Sequence, residues 1–303
     1  MSKLLAHIRL MRPANIITAI ADILAGLAIA STGYQFIFSD TDYFWAAELN
    51  GAGWLILSTI GLYGGGVVLN DVFDAELDKK ERPERPIPSG EVTVLSAASL
   101  GIILLFLGVL CAYQVSTLSA MLALSVAGLA VIYDWLGKHH AFLGPINMGL
   151  CRGGNLLLGI SIVSEKVFEF WFVAFIPIVY IAAITTISRG EVHGGKKSAF
   201  NLGIILYIAV ILSIFLITWF KEGNWYIQIP YLLLFSYFIF PPLFNARKTL
   251  KGPDIGKAVK AGVIALIVMD ASIAAGFTGW LYGLFVLALL PLSLFLAKRF
   301  AVT

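Results

Sequence analysis

Charge is scarce in this chain of 303 residues: Asp, Glu, Lys and Arg make up 13% of it, against 59% hydrophobic residues and a mean hydropathy of +0.89. That balance excludes an ordinary soluble globular domain, and no nucleic-acid partner is expected. Two cysteines, Cys111 and Cys151, lie in separate apolar runs without metal-ligand spacing, so small buried side chains are expected of them. Of the four histidines, His139 and His140 fall in a short loop expected at the membrane interface, and His193 is the one placed for chemistry. Period-two alternation is also missing, which excludes a membrane β-barrel.

What the chain does have is a succession of long apolar runs. A bilayer core of about 30 Å needs about 20 apolar residues per helix. Runs of that order occupy 13–31, 52–70, 95–114, 117–134, 142–163, 168–188, 200–220, 227–245, 257–278 and 280–298. The fold class implied is all-α, a polytopic transmembrane bundle of nine to ten helices in one domain, 1–303. The last two runs meet at Gly279 as one broken helix or a tight hairpin.

Basic residues set the orientation. Lys3, Arg9, Arg12, Lys79, Lys80, Arg82, Arg85, Lys138, Arg189, Lys196, Lys197, Arg247, Lys248, Lys251, Lys257, Lys260, Lys298 and Arg299 fall on one side, and only Lys166 and Lys221 on the other. Both termini are therefore expected in the cytoplasm, at the inner (plasma) membrane, which favours ten helices. The first run has basic residues ahead of it and Ala28-Ile29-Ala30 behind, as a cleaved leader would. Its Asn15, Thr18 and Asp22, however, recur at i, i+3 and i+7, a polar stripe expected to face inward.

Chemistry concentrates after the second run. Asp71, Asp74 and Asp78 fall at i, i+3 and i+7, which on a helix places three carboxylates within about 60° of arc. Such a set repels itself unless a hard cation sits among it, and Mg²⁺ is held by a few carboxylates together with phosphate oxygens and water. Asn70 adds an uncharged amide. Lys79, Lys80, Arg82 and Arg85 follow, interleaved with Pro83, Pro86 and Pro88 and closed by Ser89 and Gly90. The prolines end the helix and stiffen the loop, presenting guanidinium forks suited to phosphate. The ligand expected is a phosphorylated molecule. Gly64, Gly65 and Gly66 ahead of the motif invite a close neighbouring helix.

On these residues, with Arg12-Pro-Ala-Asn15 at the first run and Tyr133-Asp-Trp-Leu-Gly-Lys138 leaving the fourth, the chain resembles the UbiA superfamily of membrane prenyltransferases. The family's first motif reads N-D-x-x-D-x-x-x-D followed by R-P-x-R-P-x-P-S-G. The resemblance implies a prenyl diphosphate substrate, Mg²⁺ on Asn70, Asp71, Asp74 and Asp78, and places around the diphosphate for Asn15, Arg82, Arg85, Tyr133 and Lys138. It also implies a lipophilic or aromatic acceptor and a surrounding of membrane lipids. The family's second acidic motif ends in D-x-x-G-D, whereas this chain has Ser188-Arg-Gly-Glu-Val-His-Gly-Gly195. Glu191 stands for the first acid, Gly195 takes the place of the second, and Arg189, His193, Lys196 and Lys197 make the loop net basic. That variant resembles the EboC-like branch. Basic groups there, Arg189 and Lys196 foremost, can neutralise a diphosphate directly; the same change also suits a noncatalytic binder or transporter.

Inside the fifth run, Arg152 and Asn155 are expected to face the central cavity. Arg152 either pairs with Asp22 or Asp270 or contacts the diphosphate. Among 21 Phe, 11 Tyr and 7 Trp, most are expected at interfaces and in apolar packing, and a few in the cavity, where their electron-rich faces suit an allylic cation.

Overall fold

The computed structural model describes residues 3–31, 42–136, 140, 143–190, 194–221 and 223–300, with side chains of 42–49 outside the description. Every regular element among the described residues is helical. A short α1 (Lys3–Leu10) precedes α2 (Pro13–Ala30), α3 (Asp42–Phe73) and α4 (Ala75–Glu81). Then come α5 (Val94–Tyr113), α6 (Thr117–Trp135), α7 (Leu143–Ile160), α8 (Ser164–Phe170) and, after a 3₁₀ turn, α9 (Phe175–Ser188). The chain continues with α10 (Lys197–Phe220), α11 (Trp225–Thr249), α12 (Gly252–Thr278), α13 (Trp280–Leu287) and α14 (Leu289–Arg299).

Nine helices or helix pairs among the described residues are long and apolar enough to cross a bilayer. The run expected over 142–163 is helical as α7, 18 residues long, but Asn147, Arg152 and Asn155 keep it from counting among the nine. It packs inside the bundle against α2, α6 and α9, where its polar side chains find protein partners instead of lipid.

Local chemistry sets the helix ends. Proline opens α2, Thr93 caps α5 by accepting from the Ser96 amide at 3.2 Å, and Ser116 caps α6 by accepting from the Ser119 amide at 3.0 Å. Gly279, at φ 102°, separates α12 from α13. A Cβ on Gly283 would lie 2.7 Å from Ala275 Cβ, so α13 folds back along α12 as a tight hairpin. Ser293, midway along α14, donates to the carbonyl of Ala14 at 3.0 Å, holding the start of α2 against α14.

The most enclosed spans are α2 and α12, with 78% and 83% of their apolar stretches buried, and the other helices surround them. Contact between α2 and α7 is backbone to backbone: a Cβ on Gly26 would meet the Leu156 carbonyl at 2.5 Å, and one on Gly159 the Ile23 carbonyl at 2.5 Å. That crossing brings Asp22 against Arg152 and Asn155. The glycine run before the acidic motif does what its composition suggests, Gly65 lying against the Gly101 carbonyl of α5.

Candidate active site in the central cavity

Thr59, Tyr63, Gly66, Asn70 and Asp74 recur three and four residues apart along α3 and its end, and they line one wall of a cavity of about 670 Å³. Asn15 and Thr18 of α2, Tyr133 and Asp134 of α6, Met148, Arg152 and Asn155 of α7, Ile181 and Ile184 of α9, and Val263 and Leu266 of α12 complete it. The mouth carries Arg12, Arg82, Arg85, Arg189 and His140 beside Asn70, Asp74 and Asp134. Further in, Leu62, Val126, Met148, Ile181, Ile184 and Leu266 form an apolar wall. Tyr63 and Tyr133 are the phenol rings that line it among the described residues.

The acidic motif divides along the helix. Counted from Asn70 at about 100° per residue, Asp74 is turned by about 40°, Asp78 by about 80° and Asp71 by about 100°. The cavity lies on the Asn70 side. Asn70 and Asp74 therefore face it, whereas Asp71 and Asp78 are 5% and 3% exposed and point to its rim. There Arg12 Nη2 pairs with Asp71 Oδ1 at 2.7 Å, and Arg85 Nη1 pairs with Asp71 Oδ1 at 3.2 Å and with Asp78 Oδ2 at 2.6 Å. This corrects the expectation that all three carboxylates converge on one point: the 60° arc straddles the cavity edge. Asp74 itself sits at the junction of α3 and α4, at φ −89° and ψ 0°. Glu76 lies away from the cavity and pairs with Lys79 in solvent.

Asn70 Nδ2 donates to Asp134 Oδ1 at 2.7 Å, so the amide oxygen of Asn70 is left for another partner. No group of three or more His, Cys, Asp or Glu side chains spaced for a metal occurs among the described residues. Mg²⁺ needs less than that: one or two carboxylate or carbonyl ligands suffice when substrate phosphates and water supply the rest. The oxygen donors of Asn70 and Asp74, facing a cavity ringed by arginines, fit that ion.

Arg152 resolves toward the ion pair. Its Nη2 lies 3.1 Å from Asp22 Oδ1, and it donates to Thr18 Oγ1 and to the Thr18 carbonyl, both at 3.2 Å. Asn155 donates to Asp22 Oδ2 and to the Ala19 carbonyl at 2.9 Å each and accepts from Thr59 at 2.7 Å. The stripe of Asn15, Thr18 and Asp22 is buried as expected. Thr59 is 11 residues before Asn70, or about 16 Å deeper along the helix, so this polar layer lies well below the acidic motif.

In the loop after α9, Arg189 lines the mouth, whereas Lys196 is exposed at the cap of α10 and does not reach the cavity. Lys138, Glu191, His139 and His193 lie outside the described residues. Two mouth residues escaped the sequence reading as site residues: Arg12, visible only as the start of the Arg-Pro-Ala-Asn segment, and Asp134, next to Tyr133 in its own motif.

The profile of the UbiA prenyltransferase family matches residues 20–255. The chain belongs to this family. Similar curated proteins include the digeranylgeranylglyceryl phosphate synthases of Ignicoccus hospitalis, 30% identical over 63% of this chain and 59% of that protein, and of Saccharolobus solfataricus, 33% identical over 62% of each. The first such match, in Methanosarcina mazei, is 31% identical over 46% of this chain and 47% of that protein, so the alignments span about half the length of the curated relatives. Among solved structures, a UbiA homologue from Aeropyrum pernix superposes with a TM-score of 0.69 at 15% identity, covering 85% of this chain and 96% of that one. A UbiA homologue from Archaeoglobus fulgidus, described as bound to GPP and Mg²⁺, superposes with a TM-score of 0.52 at 12% identity over 93% and 99%. At such identities the UbiA homologues establish the fold alone.

Proposed function

We propose that this UbiA-family membrane prenyltransferase takes a prenyl diphosphate with its head group in the arginine-ringed mouth and its tail along the apolar wall. The carrying observation is the single cavity in which Arg12, Arg82, Arg85 and Arg189 ring Asn70 and Asp74 above Met148, Ile181, Ile184 and Leu266. The match of the A. fulgidus homologue, a protein described with a prenyl diphosphate and Mg²⁺, supports it.

Mg²⁺ would be held by Asn70 and Asp74, with Glu191 as a further acid, and when bound it neutralises charge on the leaving diphosphate. Arg82, Arg85 and Arg189 bind the phosphate oxygens and stabilise the charge that grows on them as the carbon–oxygen bond breaks. Tyr133, its ring in the cavity wall, faces the allylic carbon as it becomes cationic, and Lys138 of the same sequence motif is a further cation for the diphosphate. The apolar wall excludes water, which would otherwise capture the cation. No protein nucleophile is needed, because the acceptor supplies the electron pair. Lower in the cavity, Asn15 and Arg152 offer donors to the acceptor's polar group, and Asn155, whose two amide hydrogens are engaged by Asp22 and the Ala19 carbonyl, steadies that layer.

The acceptor is an aromatic ring, a lipid or a specialised metabolite. The relatives' names, as synthases of a twice-prenylated glyceryl phosphate, favour a lipid. The mouth faces the cytoplasm at the plasma membrane, the side to which the basic loops assign it, and the altered loop after α9 supports the EboC-like branch. That loop also favours a second reading, a noncatalytic protein that binds or moves an amphipathic precursor.

Incubation of the purified protein with labelled prenyl diphosphates and Mg²⁺, with and without a membrane extract, separates the two. Diphosphate release with a new lipophilic product supports the transferase. Tight binding with no turnover in any extract leaves the noncatalytic reading in its place.

A further inference from the structure

We infer that Asp71 and Asp78 are positioning residues for Arg12 and Arg85, and that these two guanidinium groups, rather than the carboxylates behind them, meet the diphosphate. The inference rests on the diphosphate reading above. Arg12 and Arg85 line the cavity, while Asp71 and Asp78 do not. Asp71 Oδ1 engages both Arg12 Nη2 and Arg85 Nη1, and Asp78 Oδ2 holds the same Arg85 nitrogen at 2.6 Å. A carboxylate in this place would have to break one or two short, nearly dry ion pairs and turn toward the cavity before it could take a metal.

The backbone supports the same division of labour. Arg12 sits in the left-handed region, φ 49° and ψ 66°, which L-residues seldom adopt, at the turn between α1 and α2. Its ion pair with Asp71 ties the start of α2 to the end of α3, and Arg85 ties the proline-rich loop to the same acid. A guanidinium has five N–H donors in a rigid plane, so one edge can be held by a carboxylate while another is presented to phosphate oxygens. Asp71 and Asp78 thereby fix the direction of two forks from two separate segments.

Calorimetric titration of the full chain in nanodiscs with geranyl diphosphate, once in Mg²⁺ and once in EDTA, tests this. Asp71→Ala and Asp78→Ala should each weaken binding about tenfold in both conditions, the size of one charge-assisted hydrogen bond, and leave the ratio of the two constants within about threefold of the unaltered protein. Removing a carboxylate makes the mouth more positive, so a loss of affinity for an anion reports position and not charge. Asp71→Asn, which keeps an acceptor oxygen, should recover part of the loss, whereas Asp74→Asn should collapse the ratio. Collapse of the ratio in Asp71→Ala, or undiminished binding by it, overturns the inference. In a background of Arg12→Ala with Arg85→Ala, no buried guanidinium is left unpaired and Asp71→Ala should cost nothing further; a further tenfold loss there refutes it even where the single variant does not fold. If the unaltered protein does not bind geranyl diphosphate with Mg²⁺, the diphosphate reading itself falls and takes this inference with it.

Discussion

Replacing Arg152 with alanine should be among the most damaging single changes in the bundle. Asp22 is 1% exposed, and Arg152 is its guanidinium partner at 3.1 Å. The same side chain donates twice to Thr18. Breaking a buried pair by removing one partner costs about 3–5 kcal/mol, because a charge is left behind in a medium that cannot solvate it. At about 1.4 kcal/mol per factor of ten, this lowers the folding equilibrium constant by roughly two to four orders of magnitude. Unfolding in mixed micelles by increasing SDS fraction, followed by helical circular dichroism, would measure it. Arg152→Met combined with Asp22→Leu removes both charges together, and it should recover at least about 2 kcal/mol of the summed single losses. A loss below about 1 kcal/mol for Arg152→Ala, or strict additivity in the pair, would refute the claim that this ion pair holds α2 against α7.

Other outcomes follow from the site and the fold. Asp74→Asn should sharply reduce the Mg²⁺ dependence of prenyl diphosphate binding, while Glu76→Gln should leave it unchanged, because Glu76 is exposed, turned from the cavity and paired with Lys79; equal losses would show that overall charge decides. A single cysteine at Glu84, in a background lacking Cys111 and Cys151, should resist an impermeant thiol reagent added outside intact cells and react after permeabilisation, and labelling from outside would invert the topology. Gly195→Asp, which recreates the family's final acid, should destabilise the chain before it restores anything: a Cβ there would meet the Phe200 ring at 2.5 Å. Adding Phe200→Ala should relieve the clash, and an unchanged melting temperature for Gly195→Asp alone would show that the loop gives way freely.

Periodicity and composition carried much of this protein. Long apolar runs without period-two alternation can satisfy their backbone groups in lipid only as helices, so the all-helical membrane architecture follows before any contact is known. The inward face of α2 was readable because Asn15, Thr18 and Asp22 cannot face lipid cheaply, and all three are buried. The place of the motif was readable as well, since a carboxylate cluster followed by arginines and prolines belongs at a helix end, and it lies at the end of α3 beside the cavity mouth.

What spacing leaves open is direction. Residue spacing gives the angles between Asn70, Asp71, Asp74 and Asp78 about their own axis, but not where the cavity lies around that axis. Tertiary packing decided that: α6 presents Asp134 to Asn70, and the turn before α2 presents Arg12 to Asp71. A rotation of about 100° separates Asn70, which faces the cavity, from Asp71, which braces its rim. The same holds for Arg152, whose partner was open between Asp22 and Asp270 until the glycine contact of α2 with α7 set the two helices in register, and for Gly279, where only the packing of Gly283 on Ala275 distinguishes a hairpin from a broken helix. Local propensity sets which segments are helices and which of their faces are polar, whereas the pairing of charges across segments far apart in sequence depends on helix contacts that no single segment encodes.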